Sequence, residues 1–579
     1  MNNKTFSWKI GGEAGFGIKA AGQTFAKACM RAGFETFDYT EYPSLIRGGH
    51  NTYQITVGTA PIKCVEQEID ILVALNQKTI DTNACELKNN GVLIYDDNEA
   101  KFAPAKGQKV TAVGVPLRKF AADTGGEIMR NTVAIGATLA LSGLPLDIME
   151  QIIKEIFSHK PEVIEANIKA VEAGYNFTKE KYPKINFGLD KRKNAPRMLI
   201  AGNEAMGMGA LAAGINFFSA YPMTPSTSLM LFLAGEAVKE GLVVKHAEDE
   251  ISVINMALGA AHVGARAACG TSGGGFALMS EALGLAGISE TPIVIFNVQR
   301  PGPATGMPTW TDQGDLRFVL HTAQGEFPRI VLAPGDLEEC FYQTAEAFNL
   351  AEKYQLPVII LSDKFLGEST GTTPLFDPKK VKIERGKILV ENKIPKDYRR
   401  YKVTPDGVSP RVLPGAAGGI FSADSYEHDE YGFSSETSAD RIAQVDKRAR
   451  KLETAAAEMA GANLYGLAKA RTTLVGWGST KGPILDALEL LDPKLKKEVN
   501  FLHLNVIWPL PVKAIEKALT ASGVFAKGKK IILIENNSTA QLGSLIRQET
   551  GINIKNKILK YDGRPFFPEE LAEKITKII

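Results

Sequence analysis

Short apolar runs alternate with longer amphipathic stretches along nearly the whole chain. "FSWKI" (Phe6–Ile10) reads as a strand, and "DILVAL", "GVLIYD" and "VTAVGVP" are runs rich in Val, Ile and Leu. That is the pattern of strands covered on both faces, and helical patterns separate them as far as Lys181. The polar stretch "NFGLDKRKNAPR" (Asn186–Arg197), with both Gly and Pro, reads as a linker. The alternation then restarts with "MLIAGNEAMGMGALAAGINFFSAYPMTPS" and continues through "TPIVIFNV" and "LPVIILSD". A lysine-rich irregular region runs from about Thr373 to Gly419, and the segment Ser425–Ala455 ends in a basic amphipathic helix that reads as a packed or solvated surface. A third alternation follows in "TTLVGWGSTKGPILDALELL", "VNFLHLNVIWPLP" and "KKIILIENNSTAQLGSLIR".

The expected fold is therefore α/β, three α/β units with mainly parallel sheets. The units predicted are 1–188 and 197–375, separated by a linker at 189–196, then an irregular connecting region 376–465 and a third unit 466–579. The first two open alike: "WKIGGEAGFGIKAAG" and "MLIAGNEAMGMGALAAG" both run strand, Gly-x-Glu-Ala, further glycines and a helix ending Ala-Ala-Gly. In the first, Gly15, Gly17 and Ala20 satisfy G-x-G-x-x-A, a weak dinucleotide signal, with Asp38 or Glu41 as the acidic residue such a site wants.

Composition narrows the function classes. The 579 residues are 44% hydrophobic and 23% charged, ordinary for a globular protein, and the net charge of +2 argues against a nucleic-acid surface as the main business. The N-terminus carries no signal-peptide core and no apolar run approaches the ~20 residues of a membrane span, so a cytoplasmic protein is expected. Cys29, Cys64, Cys85, Cys269 and Cys340 form no C-x-x-C, which excludes a conventional cysteine-ligated iron–sulfur cluster or zinc ribbon built from this chain alone. The seven histidines show no metal-ligand spacing.

Candidate chemistry concentrates in the second unit. In "SAYPMTPSTS" (Ser219–Ser228) two prolines bracket Met223 and Thr224. Each fixes its own φ and pushes the residue before it toward extended geometry. The local reading is a strand-to-helix turn with Thr224 as N-cap, Pro225 at the first helical position and Leu229–Leu233 beginning the helix. Such a turn lies where an open parallel sheet binds ligands. Glu248, Asp249 and Glu250 lead into an apolar helix read from Ile251 to Ala267, either as helix caps or as a partly buried carboxyl suited to proton exchange. "GTSGGGF" (Gly270–Phe276) offers backbone donors, the hydroxyls of Thr271 and Ser272, and glycines that admit a ligand to the main chain. Arg300, after the strand "PIVIFNV", can present a bidentate fork to a small carboxylate or pair with a surface acid.

In combination, "GNEAMGMGALAAGINFFSAYPMTPST", "EDEISVINMALGAAHVGARA", "TSGGGFALMSEALGLAG", "QRPGPATGMPT" and "EHDEYG" resemble the α subunit of 2-oxoacid:ferredoxin oxidoreductases. "IGGEAGFGIKAAG" and "YPSLIRGGHNTYQITVG" resemble the γ domain that 2-oxoglutarate-type enzymes carry fused ahead of it. The resemblance covers almost the whole chain. It implies a γ domain, a thiamine-diphosphate pyrimidine-type domain and a transketolase C-terminal-like domain. It also implies a β subunit carrying the diphosphate and magnesium motif and the iron–sulfur cluster, with ferredoxin as electron acceptor, coenzyme A as substrate and an (αβ)2 assembly. No G-D-G motif of that kind occurs here, since "PGDLEE" and "KYDGRP" lack the pattern, so the chain is expected to be catalytically incomplete alone.

By the same resemblance Thr224 lies against cofactor and substrate, and Glu250 hydrogen-bonds the aminopyrimidine, with Glu248 the fallback. Ser272 contacts the cofactor and Arg300 receives the 2-oxo acid's carboxylate. The implied reaction is reversible oxidative decarboxylation of a 2-oxo acid, 2-oxoglutarate favoured, to acyl-CoA and carbon dioxide. The alternatives are pyruvate or a branched-chain 2-oxo acid as substrate, and a transketolase- or dehydrogenase-like half-enzyme not coupled to ferredoxin. A different class altogether is a non-catalytic nucleotide- or coenzyme-A-binding module using "GGEAGFG" as a phosphate cradle.

Overall fold

The expected strands form, and their hydrogen bonds sort them into three sheets. The structure, a computed structural model, describes residues 5–45, 48–520 and 530–579. Ile46 and Arg47 of the "YPSLIRGGH" motif thus lie outside the described residues. Contacts divide the chain into two units.

The first unit comprises Met1–Ile200, Ser369–Leu375 and Phe567–Glu573. Its strands are β1 (Phe6–Glu13), β2 (Glu35–Glu41), β3 (His50–Gly58), β4 (Ile69–Ala74), β5 (Leu87–Tyr95), β6 (Thr111–Gly114) and β7 (Arg197–Ala201). The second sheet uses β8 (Phe217–Ala220), β9 (Val243–His246), β10 (Ala267–Thr271), β11 (Ile293–Gln299), β12 (Ile330–Leu332) and β13 (Pro357–Asp363), after which β14 (Thr370–Pro374) returns to the first sheet.

The order of the first sheet is β6-β5-β4-β1-β3-β2-β14-β7. It is mixed: β4, β5 and β6 run parallel to β1, whereas β3 lies antiparallel between β1 and β2. This departs from the dinucleotide reading, which needs β1 and β2 adjacent. Asp38 is fully buried, accepts a hydrogen bond from the Tyr53 hydroxyl and another from the Thr370 N–H (2.7 Å), and is unavailable to a ribose. Nor does the expected second unit keep its first and last strands, since β7 and β14 both join this sheet. Gly371 pairs with Phe37, and the Thr372 hydroxyl donates to Glu35 at 2.8 Å. The helices Arg130–Ser142 and Ile164–Lys181 cross at Gly136 and Gly174, where any Cβ would lie 2.0 Å from a carbonyl oxygen of the other helix.

The second unit comprises Ala201–Glu368, Phe376–Phe566 and Lys574–Ile579. It adds β15 (Ala462–Tyr465), β16 (Thr472–Trp477), β17 (Val499–Leu504), β18 (Val506–Trp508), β19 (Lys530–Glu535) and β20 (Asn556–Leu559). The orders are β18-β12-β13-β11-β10-β8-β9 and β15-β17-β16-β19-β20, parallel apart from the edge strands β18 and β15. Strand β18, expected in the third unit, thus completes the second sheet. One apolar cluster takes Val253, Cys269 and Ile295 from beneath the second sheet together with Trp477, Leu502 and Leu533 from the third. Gln313 ties them further: its side-chain amide donates to the Trp477 carbonyl (2.9 Å), and its carbonyl accepts from Asn537 (3.1 Å).

The basic helix is Ser438–Glu458, and its cationic face is committed inside the unit. Lys447 and Lys451, both buried, flank the buried carboxylate of Glu290. Burial would raise that carboxyl, but Lys447, Lys451 and Arg400 hold it far below the usual range. Arg448 grips Glu427 through both terminal nitrogens, at 3.0 and 2.8 Å. Among the described residues no helix is long and apolar enough to cross a membrane.

Candidate functional site

Segments at the carboxyl ends of β8, β9, β10 and β11, neighbours in the parallel sheet, meet above it. The first carries Thr224. The helix that follows is Thr227–Glu240 with Ser226 at its N-cap, so Thr224 does not cap it and Pro225 precedes it, contrary to the local sequence reading. The Ser226 N–H closes a separate turn on the Met223 carbonyl (2.8 Å), which delays the helix. The Thr224–Pro225 peptide is cis. Asn203, fully buried, donates from its amide to the Pro225 carbonyl (2.9 Å) and to the Ser228 hydroxyl (2.7 Å), fixing the turn from below.

The second contributor is the start of helix Glu250–His262, which ends five residues before the expected Ala267, a strand residue. Asp249 is the N-cap and accepts from the Ser252 N–H at 2.7 Å. Capping thus falls to Asp249 and leaves Glu250 free for another task. Glu250 is 4% exposed, and its Oε1 is buried without a hydrogen-bond partner. An orphaned buried carboxylate oxygen costs free energy unless something supplies a donor. Glu248, the fallback, is exposed.

The loop after β10 closes over this carboxylate. At Gly275 a Cβ would lie 2.5 Å from Glu250 Oε1 and 2.2 Å from Thr271 Oγ1, so the glycine is what lets the chain pass so close. The Ser272 hydroxyl is also fully buried without a partner. Thr271 Oγ1 approaches Met223 Sδ at 3.9 Å, which joins this loop to the Thr224 turn.

Arg300 follows β11 directly, and its Nη1 donates to the Thr224 carbonyl at 2.7 Å. Partial burial lowers its pKa, and the charges of Asp315 and Glu250 oppose that shift. The structure thus brings Thr224, Glu250, Ser272 and Arg300 into one cluster. It adds two side chains that carry no motif of their own. Asn297 donates to Asp315 at 3.3 Å, and the Asp315 carboxylate sits where a Cβ on Gly273 would come within 2.4 Å. Burial pushes the Asp315 carboxyl up to about 6, against the pull of Asn297 and Arg300. A continuous run of buried strand residues hides Asn297 in "IVIFNVQ", and Asp315 looks like the start of the helix Leu316–His321.

A third carboxyl, Asp312, is pushed from 3.8 up to about 7 by burial and by the charges of Asp315 and Asp363. A carboxyl whose folded pKa is raised stabilises the fold fully below its unfolded pKa, and that contribution is lost as pH rises through the folded one. For Asp312 the loss falls between about pH 4 and pH 7. Asp312→Asn should therefore flatten the fall in stability over this window, read from melting temperatures of both proteins across it. Curves of equal steepness would remove Asp312 as the cause.

The orphaned acceptor on Glu250, the free Ser272 hydroxyl and the glycine loop fit a flat heterocycle that brings an N–H to the carboxylate. The family model described as pyruvate flavodoxin/ferredoxin oxidoreductase, thiamine diP-bdg, matches residues 208–447, and that described as pyruvate ferredoxin/flavodoxin oxidoreductase matches residues 7–177. The α subunit of 2-oxoacid:ferredoxin oxidoreductase 2 from Aeropyrum pernix is 33% identical over 98% of this chain and 97% of its own. The 2-oxoglutarate synthase subunit KorA of Methanothermobacter thermautotrophicus is 30% identical over 66% of this chain and 98% of its own. The solved 2-oxoglutarate:ferredoxin oxidoreductase of Magnetococcus marinus, with 2-oxoglutarate, coenzyme A and succinyl-CoA bound, covers 100% of both chains with a TM-score of 0.92 and 32% identity. A cluster built from the segments after four parallel strands, in a chain alike from end to end, leads to one assignment: the protein belongs to the 2-oxoacid:ferredoxin oxidoreductase α subunits.

Proposed function

We propose that this chain, a fused γ–α subunit, works with a β subunit in the oxidative decarboxylation of 2-oxoglutarate, with coenzyme A as acyl acceptor and ferredoxin as electron acceptor. The observation that carries the reading is the buried, partnerless Oε1 of Glu250 beside the Thr224–Arg300 contact. Thiamine diphosphate, when bound, supplies the electron sink that lets the carboxyl group leave as carbon dioxide. Glu250 accepts the hydrogen bond of its aminopyrimidine ring and holds the proton there. Thr224, fixed by the turn above Asn203, presents its hydroxyl to the reacting centre, a donor already in place before substrate arrives. Ser272 supplies a further hydroxyl to the cofactor, and the donors of Arg300 not spent on the Thr224 carbonyl hold the substrate's carboxylate.

The choice of 2-oxoglutarate is supported by the bound ligands of the Magnetococcus marinus relative and by the name of the Methanothermobacter one. The missing diphosphate motif supports a β subunit that brings the magnesium, the missing C-x-x-C supports an iron–sulfur cluster on that partner, and the resemblance to the family supports an (αβ)2 assembly. Two measurements test the proposal. The chain alone should fail to bind thiamine diphosphate tightly, and magnesium-dependent micromolar binding by the single chain would refute the shared site. Reconstituted with its β subunit, it should reduce ferredoxin with 2-oxoglutarate and coenzyme A at a kcat/KM about tenfold or more above that with pyruvate, the scale of one additional charged contact. Equal or better use of pyruvate would overturn the substrate assignment.

A further inference from the structure

On the far side of the second unit, away from the catalytic turns, lies a cavity of about 670 Å³. Its walls come from the segment before β12, from the helix Ser438–Glu458, from the end of β18 and from the helix Gln541–Thr550. Arg329 and Pro328 immediately precede β12, which is parallel to β13 and through it to β11. The cavity therefore opens at the amino ends of the strands whose carboxyl ends carry Thr224 and Arg300.

Its body is apolar: Leu320, Leu452, Trp508, Leu510 and Leu545 line it. Two buried arginines also line it, Arg329 and Arg448, and Arg448 is already paired with Glu427. Arg329 is only 5% exposed, and among the described residues no carboxylate is paired with it. Its Nη1 donates to the carbonyls of Val319 (3.0 Å) and Thr322 (2.9 Å), and the ring of Phe327 lies 4.3 Å below the guanidinium. Those bonds fix the plane of the group but engage a single nitrogen. The Nε and Nη2 donors, adjacent on one edge of the fork, have no acceptor among the described residues. Burial lowers Arg329 to about 10 with no neighbouring acid to offset it, so it remains charged at neutral pH. A guanidinium this deep is ordinarily matched by an anion, as Glu352 is matched by Arg266 and Arg411 elsewhere in the unit.

We propose that this cavity is a second, non-catalytic binding site, and that its ligand is a small monocarboxylate with an apolar body. The two adjacent N–H groups match the two oxygens of a carboxylate, and the leucines and Trp508 match a hydrocarbon or aromatic body. The volume lies within the usual range for small-molecule sites, roughly 300–1,000 Å³. Glu326, Glu453 and Glu549, all exposed, stand around the same cavity and disfavour a multiply charged anion such as a phosphate ester. Helix Ser438–Glu458 and helix Gln541–Thr550 both line the cavity, so an occupant would touch both.

Octanoate is a suitable probe, with octan-1-ol and inorganic phosphate as controls, titrated calorimetrically into the full chain. Octanoate should bind saturably, one per chain, and octan-1-ol about tenfold or more weakly, the scale of one charged hydrogen bond. Phosphate should not displace octanoate. Ala449→Phe, which fills the cavity from the helix Ser438–Glu458, should abolish binding; Arg329→Met should bring octanoate down to the level of octan-1-ol. Because Arg329 also holds two carbonyls, Arg329→Met can misfold, and Ala449→Phe then decides the question by itself. The proposal is overturned by undiminished octanoate binding in Ala449→Phe, by equal affinity for octan-1-ol, by displacement with phosphate, or by the absence of saturable binding.

Discussion

Glu250→Gln should leave the chain folded and assembled with its partner, yet slow turnover by about 10²–10⁴-fold, the usual loss for a missing acid–base contribution. The helix start does not depend on this side chain, because Asp249 does the capping. Glutamine has the same shape, so the close approach at Gly275 is preserved. What changes is the orphaned Oε1, which would no longer belong to a carboxylate able to hold a proton. Steady-state ferredoxin reduction, with bound thiamine diphosphate quantified alongside, separates a slow site from an empty one. Wild-type turnover in Glu250→Gln together with loss in Glu248→Gln would move the role to the exposed residue two positions earlier.

Arg300→Lys is expected to lower kcat/KM for 2-oxo acids about ten- to a hundredfold. A lysine keeps the charge but cannot hold the Thr224 carbonyl and grip a carboxylate with a planar fork at once. The loss corresponds to about 1.5–3 kcal/mol, the scale of a hydrogen bond to a charged group. Cofactor content should stay at the wild-type level, as expected of a residue that holds substrate rather than cofactor. Were Arg300 a surface ion pair, kcat/KM would stay within about twofold for every 2-oxo acid, given how little such pairs contribute. A loss that tracks missing cofactor would instead place the arginine at the thiamine or at the subunit contact.

Strand positions were readable from the apolar runs because parallel strands buried on both faces leave continuous Val, Ile and Leu stretches. Pairing was not. Nothing near His50–Gly58 says that this strand slots antiparallel between β1 and β2, and Thr370–Pro374 looks like the end of a unit until Glu35 and Asp38 take up its hydroxyl and N–H. The basic helix shows the same limit: its sequence leaves packed and solvated faces open until Glu290, some 160 residues earlier, is placed against its lysines. In the site, motif residues such as Thr224 and Arg300 could be named, since glycine and proline mark their turns locally. Asn297 and Asp315 could not, because their role exists only where the end of β11 and the following loop face Gly273. The cap was misplaced at Thr224 for want of one fact, the turn that Ser226 closes on Met223.

The apolar cluster joining Val253 and Ile295 to Trp477 and Leu533 limits how this protein can be dissected. A cut anywhere in the connecting segment would leave each fragment with a bare hydrophobic face, and would strip β12 of the strand paired along its edge. Such fragments are not free-standing modules. Made separately they would aggregate; made together they would find each other, as the halves of a split protein do. Recombination between relatives in this half of the chain therefore has to exchange both sheets at once, and the connecting segment, loop-like as its sequence is, offers no usable crossover point.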